Sequence, residues 1–357
     1  MGYKKRADFA SRRILTHLQE GGKWHSLLNY ACDNACSENL NEGLDIHLRS
    51  DSVHIYYKGG RILEIKTDTL NLDPNYFYRR KDYDNIPRTH MEFLRDGKFS
   101  ELKRRHVYYK GWSIARAKDV FRTLAKSRDK LFDIVPSDKR SRNIAFANAA
   151  QFPERYFNSA KKIMDEWSDS LRGVATHEER MLQQKISLIN RDKAKTDFVV
   201  IDIEFSVSDD IDCPFRDSNN MYTHPRFDII AYQPKKNNKL AVIELKKGLG
   251  AVGWNDDGTS FDNDTQSGVI DHLNKFNATV GNEKNYKAFI DEIQGILDMK
   301  VNLGILSKSL AAKISKEKPD FLLAYAGESM SQFYNACEKA NMKCICITNE
   351  DNPVLLL

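Results

Sequence analysis

Three Glu-x-Lys triplets occur in the 357-residue sequence, at Glu64/Lys66, Glu101/Lys103 and Glu244/Lys246. Residues two apart on a strand project from one face, so such a triplet aims a carboxylate and an ammonium at one spot only where it lies on a strand. Glu101 stands in the polar, helix-like stretch Ser-Glu-Leu-Lys-Arg-Arg, without a strand signal. Glu64 follows a Gly59-Gly60 turn behind Asp51, with no Glu-bearing helix before it and a loop-like stretch after it. Glu244 ends an apolar run over residues 240–247. A second run over 227–232 precedes it, opened by Pro225-Arg226-Phe227-Asp228, and the turn Pro234-Lys235-Lys236-Asn237-Asn238-Lys239 lies between the two. A hairpin of these runs puts Asp228 beside Glu244. Hard cations such as Mg²⁺ or Mn²⁺ take carboxylate oxygens, carbonyls and waters, so Asp228, Glu244 and the Leu245 carbonyl form a candidate metal set. Lys246 is then placed to orient a water or help deprotonate it, and to offset charge on a phosphate.

The elements that must hold these residues follow from the pattern. Residues 177–190 predict a helix on which Leu182, Ile186 and Ile189 line one face, one turn after Glu178 and Glu179. Strands are expected over 197–207, 227–232 and 240–247, helices over 265–278 and 286–299, then a strand (321–326), a helix (329–340) and a last strand (344–348). This order implies an α/β domain with a mixed central sheet flanked by helices. Asp202 and Glu204 are expected to share one face of their strand, with Glu204 either near the same site, as a second metal ligand or behind the ligands, or on a solvated strand face. His272, on the first helix after the hairpin, reads as a surface or core histidine or as a residue facing the site.

The arrangement resembles the PD-(D/E)XK (restriction-endonuclease-like) nuclease superfamily across roughly residues 175–350. Asp228 stands for the first acid, Glu244 for the second and Lys246 for the lysine. Pro225 is separated from Asp228 by Arg226-Phe227, a departure from the motif. The resemblance implies a further catalytic glutamate on the preceding helix, mapped to Glu179 with Glu178 as the fallback. It also implies a polar residue on the following helix, mapped to Gln266. It implies a Mg- or Mn-dependent endonuclease, a hydrolase acting on nucleic acid, DNA ahead of RNA, that leaves 5′-phosphate and 3′-hydroxyl ends. By analogy the role would be restriction or antiviral (phage) defence. The alternative is an inactive nuclease-fold subunit that binds nucleic acid or a partner protein.

The remaining sequence divides into an N-terminal α+β region (1–85), a helical region (86–172) and the nuclease-like domain (173–357). The first region predicts a basic helix over 6–19 and a small β-meander over 44–65. The second predicts helices over 115–125 and 160–171. Basic clusters at Arg79-Arg80-Lys81, Lys103-Arg104-Arg105 and Lys139-Arg140, with Tyr108, Tyr109 and Trp112, suit a nucleic-acid surface or a solvated helix face. Lys247 is a further candidate nucleic-acid contact, and the N-terminal half is expected to read substrate, a partner or a trigger. Lys and Arg number 55 against 50 Asp and Glu, a net +5 that permits a nucleic-acid partner without requiring one. No run of about 18 apolar residues exists, so no membrane span is expected. The opening residues predict no secretory leader, and six cysteines without zinc-ligand spacing fit a cytoplasmic protein with reduced thiols. A homodimer is expected if two strands are cut. Gly248-Leu249-Gly250-Ala251-Val252-Gly253 spells a dinucleotide-loop motif, but Glu-Leu-Lys-Lys before it and Trp254-Asn255-Asp256-Asp257 after it favour a loop near the site.

Overall fold

Strand alternation around Glu244 organises the larger half of the molecule. On β7 (Lys239–Lys247), Leu240 and Val242 enter one core, while Ala241, Ile243 and Leu245 enter another on the opposite face. Glu244 and Lys246 continue the first set, so both lie on the Val242 face. A computed structural model describes residues 13–35, 39–49, 51–71, 150–170, 175–208, 211, 225–248, 251–255, 258–262 and 268–357. Outside these residues lie Gln266, the three basic clusters, Tyr108, Tyr109 and Trp112, residues 249–250, the 115–125 helix and the start of the first helix.

The protein is α/β, with two sheets. The first is antiparallel, in the order β1 (Asp45–Arg49), β2 (Ser52–Tyr57), β3 (Gly60–Lys66), β4 (Leu70–Asn71). It is accompanied by α1 (Ile14–Leu18), α2 (His25–Asp33) and α3 (Pro153–Ser170). The meander is as expected; α2 and β4 add to it. Tyr156 of α3 donates from its hydroxyl to the Ile62 carbonyl at 2.6 Å, tying α3 to β3.

The second sheet is mixed, in the order β5 (Val199–Ser206), β6 (Arg226–Gln233), β7, β8 (Asp320–Ala326), β9 (Lys343–Cys346). β5, β6 and β7 run antiparallel, and β8 and β9 add parallel to β7. One face packs Phe205, Phe227 and Val242 against Phe276 of α5 (Val269–Thr279) and Phe289 and Ile293 of α6 (Glu283–Asn302). The other packs Ile243 and Leu245 against Leu182 and Ile186 of α4 (Ala175–Ile189). A third cluster joins Tyr325 of β8 and Phe333 of α7 (Met330–Lys339) to Val252 and Phe261. These buried apolar faces supply the main driving force, about 25 cal/mol per Å² removed from water.

The two sheets meet on α4. The β2–β3 turn places Gly59 at φ +74°, where a Cβ would stand 2.9 Å from Arg180 Cβ and from the Met181 backbone nitrogen. Only glycine fits both the left-handed backbone and this approach. Gln184 of α4 accepts from the Gly59 N–H at 2.7 Å and donates to the Gly43 carbonyl at 3.0 Å. The helix that carries Glu179 is therefore gripped by the N-terminal sheet on one side and by β7 on the other.

Candidate active site

The paired registers of β6 and β7 run from Gln233 opposite Lys239 to Ile229 opposite Ile243. One step further would set Asp228 opposite Glu244, but the backbone ladder stops there. In its place Asp228 Oδ2 accepts from the Leu245 N–H at 3.0 Å. A strand residue directs its N–H and C=O to the same edge, so the Leu245 carbonyl also points toward Asp228.

Glu244 is 1% exposed. Its Oε1 receives Lys246 Nζ at 2.9 Å and lies 3.1 Å from His272 Nε2 of α5. Its Oε2 is buried and has no hydrogen-bond donor among the described residues. A buried carboxylate oxygen without a donor carries a desolvation cost that a bound cation or ordered water would remove. Burial alone would raise the Glu244 pKa, but His272 and Lys246 outweigh it and hold the group at about 2. Asp228 behaves in the opposite way. Burial first, then the charges of Glu244, Glu204 and Glu179, push its pKa well above the ordinary carboxylate value, against the pull of Lys246. Glu179 is raised by burial and by Glu244 and Glu204, and lowered by Lys246 and the Lys247 backbone N–H. Burial disfavours the Lys246 ammonium, yet Glu244, Asp228 and Glu179 more than restore it, so Lys246 stays charged. Three carboxylates, those of Glu244, Asp228 and Glu179, thus act on one ammonium, and Glu204 adds its charge to Asp228 and Glu179, an excess of acidic groups over cations that a divalent cation would offset.

Sequence-expected residues divide by where they stand. Asp228, Glu244, Lys246 and Glu179 come together, and Glu204 adds its charge at the rim, where it pairs with Arg226 Nε at 3.1 Å. Glu178 turns instead toward Lys247, at 3.7 Å. Lys247 also pairs with Glu350. Lys103, Arg104, Arg105 and Gln266 lie outside the described residues. His272 was the residue least legible in the sequence: a single histidine has no periodicity, and only its place on the helix after the Glu-x-Lys strand signalled it.

The expectation that Asp202 and Glu204 share a face is overturned. A register shift between Val200 and Asp202 comes ahead of both residues, and the left-handed φ of +50° at Glu204 breaks the alternation that would keep the two on one face. Asp202, fully buried, turns away into a second charge cluster between the two sheets. Its Oδ1 lies 2.6 Å from His47 Nδ1 of β1, while His47 Nε2 lies 2.7 Å from Asp45 Oδ2. Arg49 Nη1 donates to both Asp202 oxygens, at 3.0 and 3.2 Å, and its Nη2 to the Ile203 carbonyl at 3.1 Å. Lys300 Nζ of α6 donates to the Ile201 carbonyl at 2.7 Å and lies 3.8 Å from Asp202. Arg191 Nη2 donates to Asp45 at 2.6 Å. This cluster is paired on both sides.

Among the described residues after β7 no α-helix opens before Val269. Trp254 bridges to Phe261, and the next helix begins at Val269, so the dinucleotide-loop reading is not supported by the local backbone. Glu64 of the competing triplet accepts from Asn71 Nδ2 at 3.0 Å and lies 3.3 Å from His54 Nε2. Arg61 and Lys66 stand 3.7 and 3.6 Å from it. Among the described residues no helix is long and apolar enough to cross a membrane. Comparison with protein-family models, with curated proteins and with solved structures yields no match.

Proposed function

We propose that the chain is a divalent-metal-dependent nuclease with a PD-(D/E)XK-type domain, hydrolysing phosphodiester bonds of nucleic acid, DNA ahead of RNA. The observation that carries this reading is the buried Glu244 carboxylate. One of its oxygens is held by Lys246 and His272, the other has no donor among the described residues, and a second carboxylate, Asp228, lies across the hairpin. The residues fit a Mg²⁺ or Mn²⁺ ion, with Glu244 Oε2, the Asp228 carboxylate and the Leu245 carbonyl as its protein donors. Bound there, such an ion supplies an acidified water and offsets phosphate charge.

The remaining work belongs to side chains of the chain itself. Lys246, charged and anchored to Glu244, orients the attacking water and stabilises charge that accumulates on the phosphoryl oxygens. His272 and Lys246 both hold Glu244 Oε1, which fixes the carboxylate and leaves Oε2 for the ion. Glu179 accepts from the Lys247 N–H and holds that backbone in place. Hydrolysis adds water across the P–O3′ bond, which leaves one strand end as 5′-phosphate and the other as 3′-hydroxyl.

The alternative is a subunit of the same fold that binds nucleic acid or a partner protein without cutting. One observation favours it: among the described residues no group of three or more His, Cys, Asp or Glu side chains is arranged to hold a metal. Mg²⁺ is commonly held by one or two carboxylates with waters, which keeps the first reading ahead. The deciding experiment is cleavage of supercoiled and linear DNA, and of RNA, with Mg²⁺ or Mn²⁺, by wild type, Lys246→Ala and Glu64→Ala. Cutting lost only in Lys246→Ala supports the enzyme at this site. Loss only in Glu64→Ala moves the site to the N-terminal sheet, and absence of cutting by wild type leaves the binding subunit.

A further inference from the structure

Beside the Glu179 end of α4 lies a small cleft of about 180 Å³, lined by Glu178, Met181, Leu182, Lys185, Lys247 and Glu350. Lys185 and Lys247 reach it from different elements, α4 and the end of β7. Their side chains are 13% and 20% exposed. Both are paired with one short turn of the chain after β9, and Lys247 also lies 3.7 Å from Glu178 of α4. Lys247 pairs with Glu350, and Lys185 donates to Asp351 Oδ1 at 3.0 Å and to the Glu350 carbonyl at 3.3 Å. That turn is shaped locally: Asn349 Oδ1 accepts from the N–H groups of Asp351 and Asn352 at 3.0 and 3.2 Å. Asp351 itself is 89% exposed. An ion pair with one partner so open to water adds little to stability, so folding alone does not account for two half-buried lysines sharing two adjacent surface acids.

We propose that Lys185 and Lys247 form the seat of a backbone phosphate of the bound nucleic acid, and that Glu350 and Asp351 are internal anions that hold this seat until the substrate displaces them. The inference rests on the nuclease reading of the neighbouring site. Lys247 follows Lys246 directly with its side chain on the opposite, α4 face of β7, and Glu179 of α4 holds its backbone N–H, so the seat lies across the end of β7 from the carboxylate centre. A centre rich in carboxylates repels a polyanion unless flanking cations draw the backbone in. Exchange of a carboxylate for a phosphate keeps each lysine compensated throughout.

The test is equilibrium binding of fluorescent single- and double-stranded oligonucleotides in EDTA over a salt series, with cleavage in Mg²⁺ measured alongside. Glu350→Gln/Asp351→Asn is expected to bind roughly fivefold tighter and to steepen the log K against log salt slope by about 1 to 2, one unit for each further phosphate neutralised. Lys185→Gln/Lys247→Gln is expected to cost little alone and to abolish the tighter binding in the acid-neutralised background, a non-additive cycle. Glu283→Gln/Asp291→Asn removes the same charge from two acids paired with Lys287 and Lys316 on another surface, and is expected to leave affinity within twofold of wild type. An equal increase in that control, or no increase in Glu350→Gln/Asp351→Asn, overturns the seat. Cutting by wild type with no such increase leaves the nuclease reading intact. A lysine-dependent increase without any cutting sustains the seat and removes the enzyme, and neither binding nor cutting removes both.

Discussion

Glu64 and Glu244 carry the same local spelling, each on a strand of an antiparallel hairpin and each followed two residues on by a lysine. Both are held at a pKa of about 2. What differs is what the fold places across from them. Opposite Glu64 stand His54 on one neighbouring strand and Asn71 on the other, both hydrogen-bonding to it. One step past the last β6–β7 pair, Glu244 meets Asp228, another acceptor. Lys66 is 41% exposed and stretches to Glu64 at 3.6 Å, whereas Lys246 is 7% exposed and contacts Glu244 at 2.9 Å. The N-terminal strand resolves its charge within the sheet. The C-terminal strand leaves a buried oxygen and a neighbouring carboxylate unresolved, and such frustration is retained where a ligand is to complete it.

The comparison is broken most forcefully by activity. Lys246→Ala is expected to lower phosphodiester cleavage by about 10³-fold or more, roughly 4 kcal/mol of transition-state stabilisation, while Glu64→Gln leaves turnover unchanged. Equal loss in both would erase the distinction. The next effect is on stability. Asp202→Ala leaves His47, Arg49 and Lys300 buried without their shared carboxylate, and should cost about 3–5 kcal/mol in denaturant unfolding. A cost near zero would show that the two sheets do not depend on that cluster.

Smaller effects sharpen the contrast through pH. The folded-state pKa of Glu64 lies below its unfolded value of 4.5, so its contribution is fully present above pH 4.5 and is lost as pH falls toward about 2. That shift corresponds to roughly 3 kcal/mol at neutral pH, and the stability gap between wild type and Glu64→Gln should close across this window. Asp228 has the opposite sign. Its raised pKa means that ionisation costs stability above its unfolded pKa of 3.8. Asp228→Asn is therefore expected to raise the unfolding midpoint at pH 7 while abolishing cleavage. A variant less stable at pH 7 and more stable at pH 3 would reverse that assignment.

Much of this contrast was legible in the chain. The alternation of residues 240–245 gave the two faces of β7, and the turn between residues 234 and 239 gave the juxtaposition of Asp228 with Glu244. The stripe of Leu182 and Ile186 located the helix that bears Glu179. What escaped was non-periodic or distant. No spacing announces the left-handed backbone at Glu204, so alternation wrongly set it on one face with Asp202. The bonds of Asp202 to His47 and of Lys247 to Glu350 join residues 155 and 103 positions apart, and side-chain chemistry alone does not select such partners. The sequence placed His272 on the helix after the hairpin, but its 3.1 Å contact with Glu244 has no spacing that announces it.

One further consequence follows from the position of β5 at the outside of its sheet. An outer strand offers unpaired carbonyls and amides to which a second molecule can add a strand of its own. Here the Ile201 and Ile203 carbonyls are already taken by Lys300 and Arg49, and the Val200 N–H donates to the Asn190 carbonyl at 3.0 Å. The same cations that join the two sheets therefore blunt the margin of the apolar run Val199-Val200-Ile201. Removing Lys300 or Arg49 would reopen that margin, and the protein would begin to self-associate in a concentration-dependent way.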